Sequence, residues 1–200
     1  MMLHDRIIYL ASKSPRRREL LLQIGVSCEL LLGAQEVDES VHPAESPTDY
    51  VARVTRDKAI NAQHLMEQRK LLPRPILAAD TTVVLDGQIL GKPASEAQAI
   101  AMLASLSGRT HQVLTSVVVC HHNNRWQITH SSEVRFATLS SKRIRAYCAT
   151  QEPYDKAGGY GIQGIASVFI RDIIGSHSGI MGLPLFETAQ LLQQAGLDIL

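Results

Sequence analysis

Asp80 stands inside an otherwise apolar run, flanked by Leu77-Ala78-Ala79 and Val83-Val84-Leu85. A carboxylate in such a run is costly unless it is paired, hydrogen-bonded or bound to a metal. It is therefore either the proton acceptor or metal ligand of a reactive site, or an aspartate at a β-bulge. A second feature is Ser12-Lys13-Ser14-Pro15-Arg16-Arg17-Arg18, placed where a strand feeds a helix. Free backbone N–H groups, two hydroxyls and several guanidinium groups converge there, which makes an anion site. The competing reading is a solvated basic face, since cations on a first helical turn oppose the helix dipole. Glu39, in the acidic stretch Glu36-Val37-Asp38-Glu39, and Lys58 and Lys92 are marked more weakly, because carboxylates and lysines are common on any surface. Glycines beside Lys92 and around Gln163 imply close backbone approach.

The elements that would carry these residues follow from periodicity and punctuation. Residues 7–10 are β-branched and aromatic, and Ser14-Pro15 supplies a cap and a first-turn proline. The helix that follows has Leu20, Leu21 and Ile24 at helical spacing and ends at Gly25; residues 28–32 read as a second strand and 33–46 as a polar loop. Ser46-Pro47-Thr48-Asp49 repeats the cap signal and opens a long amphipathic helix with Tyr50, Val51, Val54, Ala59 and Leu65 on or near one face. Residues 76–85 read as a strand buried on both faces, and Asp86-Gly87 turns it into 88–90. A helix capped by Ser95 covers 95–104, and strands 113–121 and 126–136 are joined by Asn123-Asn124. A helix over 140–149, a glycine-rich loop over 151–164, a strand over 166–174 and a helix over 184–194 complete the chain.

Two hundred residues with 45% hydrophobic and 20% charged side chains form a chain long enough to bury a sizeable core. A formal charge of +1 and 4% aromatic content argue against a protein that coats nucleic acid or an anionic membrane. No apolar run is long enough to span a bilayer. The first residues, Met1-Met2-Leu3-His4-Asp5-Arg6, lack a signal-peptide pattern. Cys28, Cys120 and Cys148 lie far apart, which suits neither a disulfide framework nor a zinc knuckle and points to a reducing cytosol. His121-His122 and His130 have no third ligand at metal spacing. The expectation is one mixed α/β domain over residues 1–200.

Taken together, the segments resemble the Maf family of nucleoside triphosphate pyrophosphatases along nearly the whole chain. The blocks that carry the resemblance are Leu10-Ala11-Ser12-Lys13-Ser14-Pro15-Arg16-Arg17, then Arg56-Asp57-Lys58-Ala59, then Ala79-Asp80-Thr81 with Gly91-Lys92-Pro93, and the long stretch from Glu152-Pro153-Tyr154-Asp155-Lys156 to Tyr160-Gly161-Ile162-Gln163-Gly164. Leu106-Ser107-Gly108-Arg109-Thr110-His111 and Met181-Gly182-Leu183-Pro184 agree as well. The resemblance implies an inosine-triphosphatase-like fold, a long mixed twisted sheet flanked by helices with a cleft between two lobes, assembled as a homodimer. It implies hydrolysis of a nucleoside triphosphate to the monophosphate and pyrophosphate with a divalent cation, Mg²⁺ or Mn²⁺.

Carried over by that resemblance, Asp80, Glu39 and Lys92 are catalytic, with Asp80 and Glu39 also holding the metal. Ser12, Arg16, Arg17, Lys58, Thr81, Lys156 and Gln163 bind substrate. Arg16, Thr81 and Gln163 are similar to the branch that acts on dTTP and UTP; a sister branch resembling 7-methyl-GTP pyrophosphatases has Trp, Gln and Glu at these positions. A pyrophosphatase for another modified nucleotide, and a nucleotide-bound regulator of cell division and septum formation, are the alternatives the same residues leave open. Partners expected are the nucleotide and a second copy, with neither nucleic acid nor membrane.

Overall fold

The structure, a computed structural model, describes residues 6–33 and 37–199. Most of the N-terminal stretch expected to carry no export signal falls in residues 1–5, and part of the acidic loop in 34–36; these lie outside the described residues. In chain order the elements are β1 (Ile7–Leu10), α1 (Pro15–Gln23), β2 (Ser27–Leu30), α2 (Pro47–Gln68), β3 (Ile76–Leu85), β4 (Gln88–Leu90), α3 (Glu96–Leu106), β5 (Thr110–His121), β6 (Asn124–Phe136), α4 (Ser141–Cys148), β7 (Ile170–Ile174), α5 (His177–Met181) and α6 (Leu185–Gln194). The strands form one seven-stranded sheet in the order β2-β1-β3-β5-β6-β7, with β4 paired to β3 beside that path. β1 runs parallel to β2 and β3, and the remaining pairs are antiparallel. The chain thus forms the expected long mixed sheet flanked by helices. No described helix is long and apolar enough to cross a membrane.

Local chemistry explains most boundaries. Ser46, Ser95 and Ser140 each accept a backbone N–H from the residue three positions on, at the N-termini of α2, α3 and α4. Asp86 and Gly87 both take positive φ, 51° and 76°, as the tight turn between β3 and β4 requires. Several boundaries differ from the sequence expectation, among them the start of β5 at Thr110, and two of the differences have a local cause. The β5–β6 turn falls on His122 and Asn123, because Asn124 already pairs with His121. The last strand begins only at Ile170: the buried residues before it, Ala166 and Phe169, are three apart, the period of the 3-10 turn Ile165–Phe169 rather than of a strand. The short α5 had no periodic signal of its own.

β3 links separate apolar clusters. Ile76 and Ala78 pack beneath α2, while Leu77 and Ala79, on the opposite face, pack against Leu20 and Leu21 of α1 and Leu191 and Leu192 of α6. At its far end Val83 and Leu85 enter a further cluster with Leu103 and Leu106 of α3 and Phe136 of β6. Each fully buried side chain of this kind contributes about 1.5–3 kcal/mol, so both ends of β3 are firmly held. Asp80 and Thr81, only half-buried, fall between them. The register with β5 is unbroken from Ile76↔Cys120 to Val84↔Gln112, and Asp80 lies opposite Ser116. The bulge reading of Asp80 is therefore excluded.

Gly158 locks the glycine-rich loop onto β3. Its φ is +69°, and a Cβ there would sit 2.9 Å from Val83 Cγ2. Strain in the left-handed region and overpacking both oppose a side chain, so Gly158→Ala is expected to lower the unfolding free energy by about 2–4 kcal/mol. Urea denaturation reads this directly, and a loss below about 0.5 kcal/mol would contradict the packing described.

Candidate active site

The sheet has a gap beside Asp80. β1 pairs with β3 at Ile76 and Leu77, β4 begins to pair only at Val83, and β5 occupies the other edge throughout. Between the two short partners one edge of β3 has no neighbouring strand among the described residues, and a cleft of about 950 Å³ opens along it. Every residue selected from the sequence lines this cleft: Ser12, Arg16, Arg17, Glu39, Lys58, Asp80, Thr81, Lys92, Lys156 and Gln163.

Alternation along a strand sends Asp80 and Thr81 to opposite faces, and each meets a different set of partners. On the face covered by α2, Lys58 Nζ lies 2.7 Å from Asp80 Oδ1 and 2.7 Å from Glu39 Oε1. Asp80 keeps 15% of its side-chain exposure and Lys58 21%, so water screens this pair far less than it would a surface pair. Removing Lys58 would leave the half-buried carboxylate of Asp80 uncompensated, whereas without Asp80 the ammonium still has Glu39 beside it. Glu39, at 50%, is the more open member.

On the other face, Arg17 of α1 is buried. Its Nε donates to the Gly182 carbonyl at 2.8 Å, Nη1 to Ser12 Oγ at 2.8 Å and Nη2 to Thr81 Oγ1 at 3.2 Å. Thr115 donates to the Gly179 carbonyl at 2.8 Å, so across the 2.9 Å contact between the two threonines Thr81 is the donor, and it accepts from Arg17. All three acceptors of Arg17 are neutral, and among the described residues no carboxylate lies within ion-pair distance of it. Burial lowers the pKa of Arg17, against the raising field of Asp80. A buried guanidinium with donors to spare beside an open cleft is a receptor for a phosphate or carboxylate.

Arg16, Lys92 and Gln163 line the cleft with no hydrogen-bonded side-chain partner among the described residues. Lys156 is engaged: Nζ donates to the Glu152 carbonyl at 2.9 Å and pairs with Asp155. Burial alone would raise the Asp155 pKa, but the hydrogen bond and charge of Lys156 hold it below the usual value.

Sequence reasoning missed Glu152 as a support. Its carboxylate accepts from Tyr147 OH at 2.9 Å, from Ile165 N at 2.9 Å and from Ala166 N at 3.4 Å, which fixes the chain immediately after Gln163. Tyr50 also lines the cleft, and its hydroxyl pKa is pushed up to about 12 by burial and by the charges of Asp80 and Glu39. No spacing rule marks either residue.

The convergence of Asp80 and Glu39 on one ammonium places two hard oxygen donors around a single point. Among the described residues no group of three or more His, Cys, Asp or Glu could hold an ion by itself. Two carboxylates completed by substrate phosphates is how Mg²⁺ is commonly held, so the donor set fits such an ion bound together with a nucleotide.

Known proteins resemble the chain along nearly its whole length. The profile of the family described as "Maf-like protein" matches residues 7–195. The chain is 49% identical over 194 residues to a dTTP/UTP pyrophosphatase of Bordetella pertussis, covering 96% of this chain and 94% of that one. It is 54% identical over 195 residues to a dTTP/UTP pyrophosphatase of Cupriavidus metallidurans, covering 96% and 98%. A nucleoside triphosphate pyrophosphatase of Haemophilus ducreyi is 48% identical over 193 residues, covering 96% and 97%. The solved Staphylococcus aureus Ham1 protein shares 14% identity over 66% of this chain and 72% of its own, with a TM-score of 0.45.

Gly164 tests how the Gln163 segment is held. A Cβ at Gly164 would lie 2.2 Å from Glu152 Oε1, so the carboxylate must swing away and release its three donors. In Gly164→Ala, hydrogen-exchange protection of the Ile165 and Ala166 amides is expected to fall by about tenfold or more, the loss of a charge-assisted hydrogen bond. Unchanged protection would show that Glu152 does not hold this segment.

Proposed function

The chain belongs to the Maf-like family, and from that premise we propose that it hydrolyses dTTP and UTP to the monophosphate and pyrophosphate. The observation that carries the reading is the pairing of two unlike features across one strand edge: the Asp80–Lys58–Glu39 cluster on one face and the buried Arg17, with no carboxylate partner among the described residues, on the other. Arg17, Ser12 and Lys92 bind phosphate oxygens, and Lys58 and Lys156 add positive charge along the cleft. Asp80 accepts the proton of the water that attacks the α-phosphorus, and pyrophosphate leaves. Asp80 and Glu39 would hold Mg²⁺ or Mn²⁺. When bound, such a cation offsets phosphate charge and acidifies water.

Base selection rests on Arg16, Thr81 and Gln163. A uracil or thymine ring offers two carbonyl acceptors flanking an N3–H donor. The Gln163 amide both donates and accepts, Arg16 only donates, and Thr81 keeps one acceptor lone pair after serving Thr115 and Arg17. The amino group of cytosine would meet the donors of Arg16, which disfavours it. The three cysteines are free, in keeping with a reducing cytosol.

A panel of dTTP, UTP, CTP, ATP and GTP with Mg²⁺, scored for pyrophosphate and orthophosphate, tests the proposal. Pyrophosphate and monophosphate are the expected products, with dTTP and UTP preferred and turnover abolished by excess chelator. Gln163→Glu should weaken that preference more than it slows the best remaining substrate, because an ionised carboxylate only accepts. Orthophosphate and a diphosphate as primary products would refute the reaction, and equal rates on all five nucleotides would refute the base pocket.

A further inference from the structure

Glu39 lies on an irregular segment and is half exposed, yet its carboxylate is held 2.7 Å from Lys58. The backbone around it explains how. The Asp38 carbonyl accepts from Arg53 Nη1 at 3.1 Å, the Glu39 carbonyl from Tyr50 OH at 3.1 Å, and the Ser40 carbonyl from Arg53 Nη2 at 2.7 Å. Three consecutive carbonyls are thus captured by two side chains one helical turn apart on α2, the helix that also carries Lys58.

The captor is itself fixed. Arg53 Nε lies 2.6 Å from Glu45 Oε1 and Nη2 lies 3.0 Å from Glu45 Oε2, and the guanidinium carbon sits 5.8 Å from the centre of the Tyr50 ring. Glu45 also accepts the His42 N–H at 3.0 Å, and Ser40 N donates to Asp38 Oδ1 at 2.8 Å. One edge of the planar guanidinium therefore grips Glu45 while its other donors reach the carbonyls on either side of Glu39. A lysine, with one point charge on a flexible stem, cannot reproduce that double geometry.

We infer that Arg53 and Tyr50 are positioning residues that hold Glu39 in the reactive cluster by clamping the backbone on both sides of it and at the residue itself. The inference rests on the proposed role of Glu39 in the reaction. Neither residue needs to touch the nucleotide to perform this task. Loss of the clamp leaves Lys58 and Asp80 together and frees Glu39 to leave the cluster. Turnover then falls while nucleotide affinity, carried by Arg17 and the other cleft cations, is retained.

The test measures kcat and KM for dTTP in the parent, in Glu39→Gln, Arg53→Lys and Tyr50→Phe, and in the double variant Arg53→Lys with Glu39→Gln. Arg53→Lys is expected to lower kcat at least about tenfold with KM within about threefold, since misplacing a reacting group by about 1 Å can cost about 10²-fold. Tyr50→Phe, which keeps the ring and removes one hydrogen bond, is expected to lower kcat about threefold and guards against misfolding of the arginine variant. Because Arg53 acts through Glu39, Arg53→Lys should cost less than about twofold in the Glu39→Gln background. An equal cost in both backgrounds would overturn the clamp, because Arg53 would then act independently of Glu39. Parental kcat in both Arg53→Lys and Tyr50→Phe, with Glu39→Gln impaired, would also overturn it while leaving the role of Glu39 intact. Parental kcat in Glu39→Gln itself would overturn that role and, with it, the purpose of the clamp.

Discussion

The ion pair between Asp80 and Lys58 decides the layout of this protein. A carboxylate in the middle of a strand whose two ends are buried in apolar clusters would be destabilising alone, and the ammonium 2.7 Å away compensates it. That requirement fixes the course of α2, which runs from Pro47 to Gln68 and must pass over β3 so that Lys58 arrives above Asp80. It also fixes the segment before α2, because Glu39 completes the cluster only when the chain folds back against the helix.

A second constraint comes from the alternation of side chains. Adjacent residues of a strand point to opposite faces, so Asp80 and Thr81 can serve one ligand only if the ligand reaches both faces of the sheet. The gap between β1 and β4 permits this by leaving one edge of β3 without a partner strand among the described residues. The acidic cluster then faces the cleft from the α2 side, and Arg17, held by Ser12, Thr81 and Gly182, faces it from the α1 side. Polar edges of this kind are normally avoided in sheets, and here the unpaired edge is what gives access to the site.

Much of this was legible in the sequence because it is local. The cap serines, the Asp86-Gly87 turn and the polar step at Asp80 each announce themselves within a few residues. The convergence of hydroxyl and guanidinium groups at Ser12 to Arg17 follows from a strand running into a helix, although the structure buries Arg17 and leaves Arg18 on the surface. What was not legible depends on contacts between distant residues. Glu152 reaches Ile165 across an irregular loop, and Arg53 reaches Asp38 and Ser40 through backbone carbonyls that carry no residue identity. The start of β7 is not legible either, because an apolar run of this length fits a 3-10 turn as well as a strand until its buried positions are known.

The proposed reaction depends on the negative charge of Asp80, and the rate of dTTP cleavage by Asp80→Asn under single-turnover conditions with Mg²⁺ tests that charge most directly. Asparagine keeps the shape and can still accept a hydrogen bond from Lys58, so the fold should survive, while the proton acceptor and the anionic ligand are both removed. The expected rate is lower by about 10²–10⁴-fold with an unchanged thermal midpoint. Cleavage within a few-fold of the parent would show that the carboxylate serves only to pair with Lys58, and that the reaction draws its base from elsewhere.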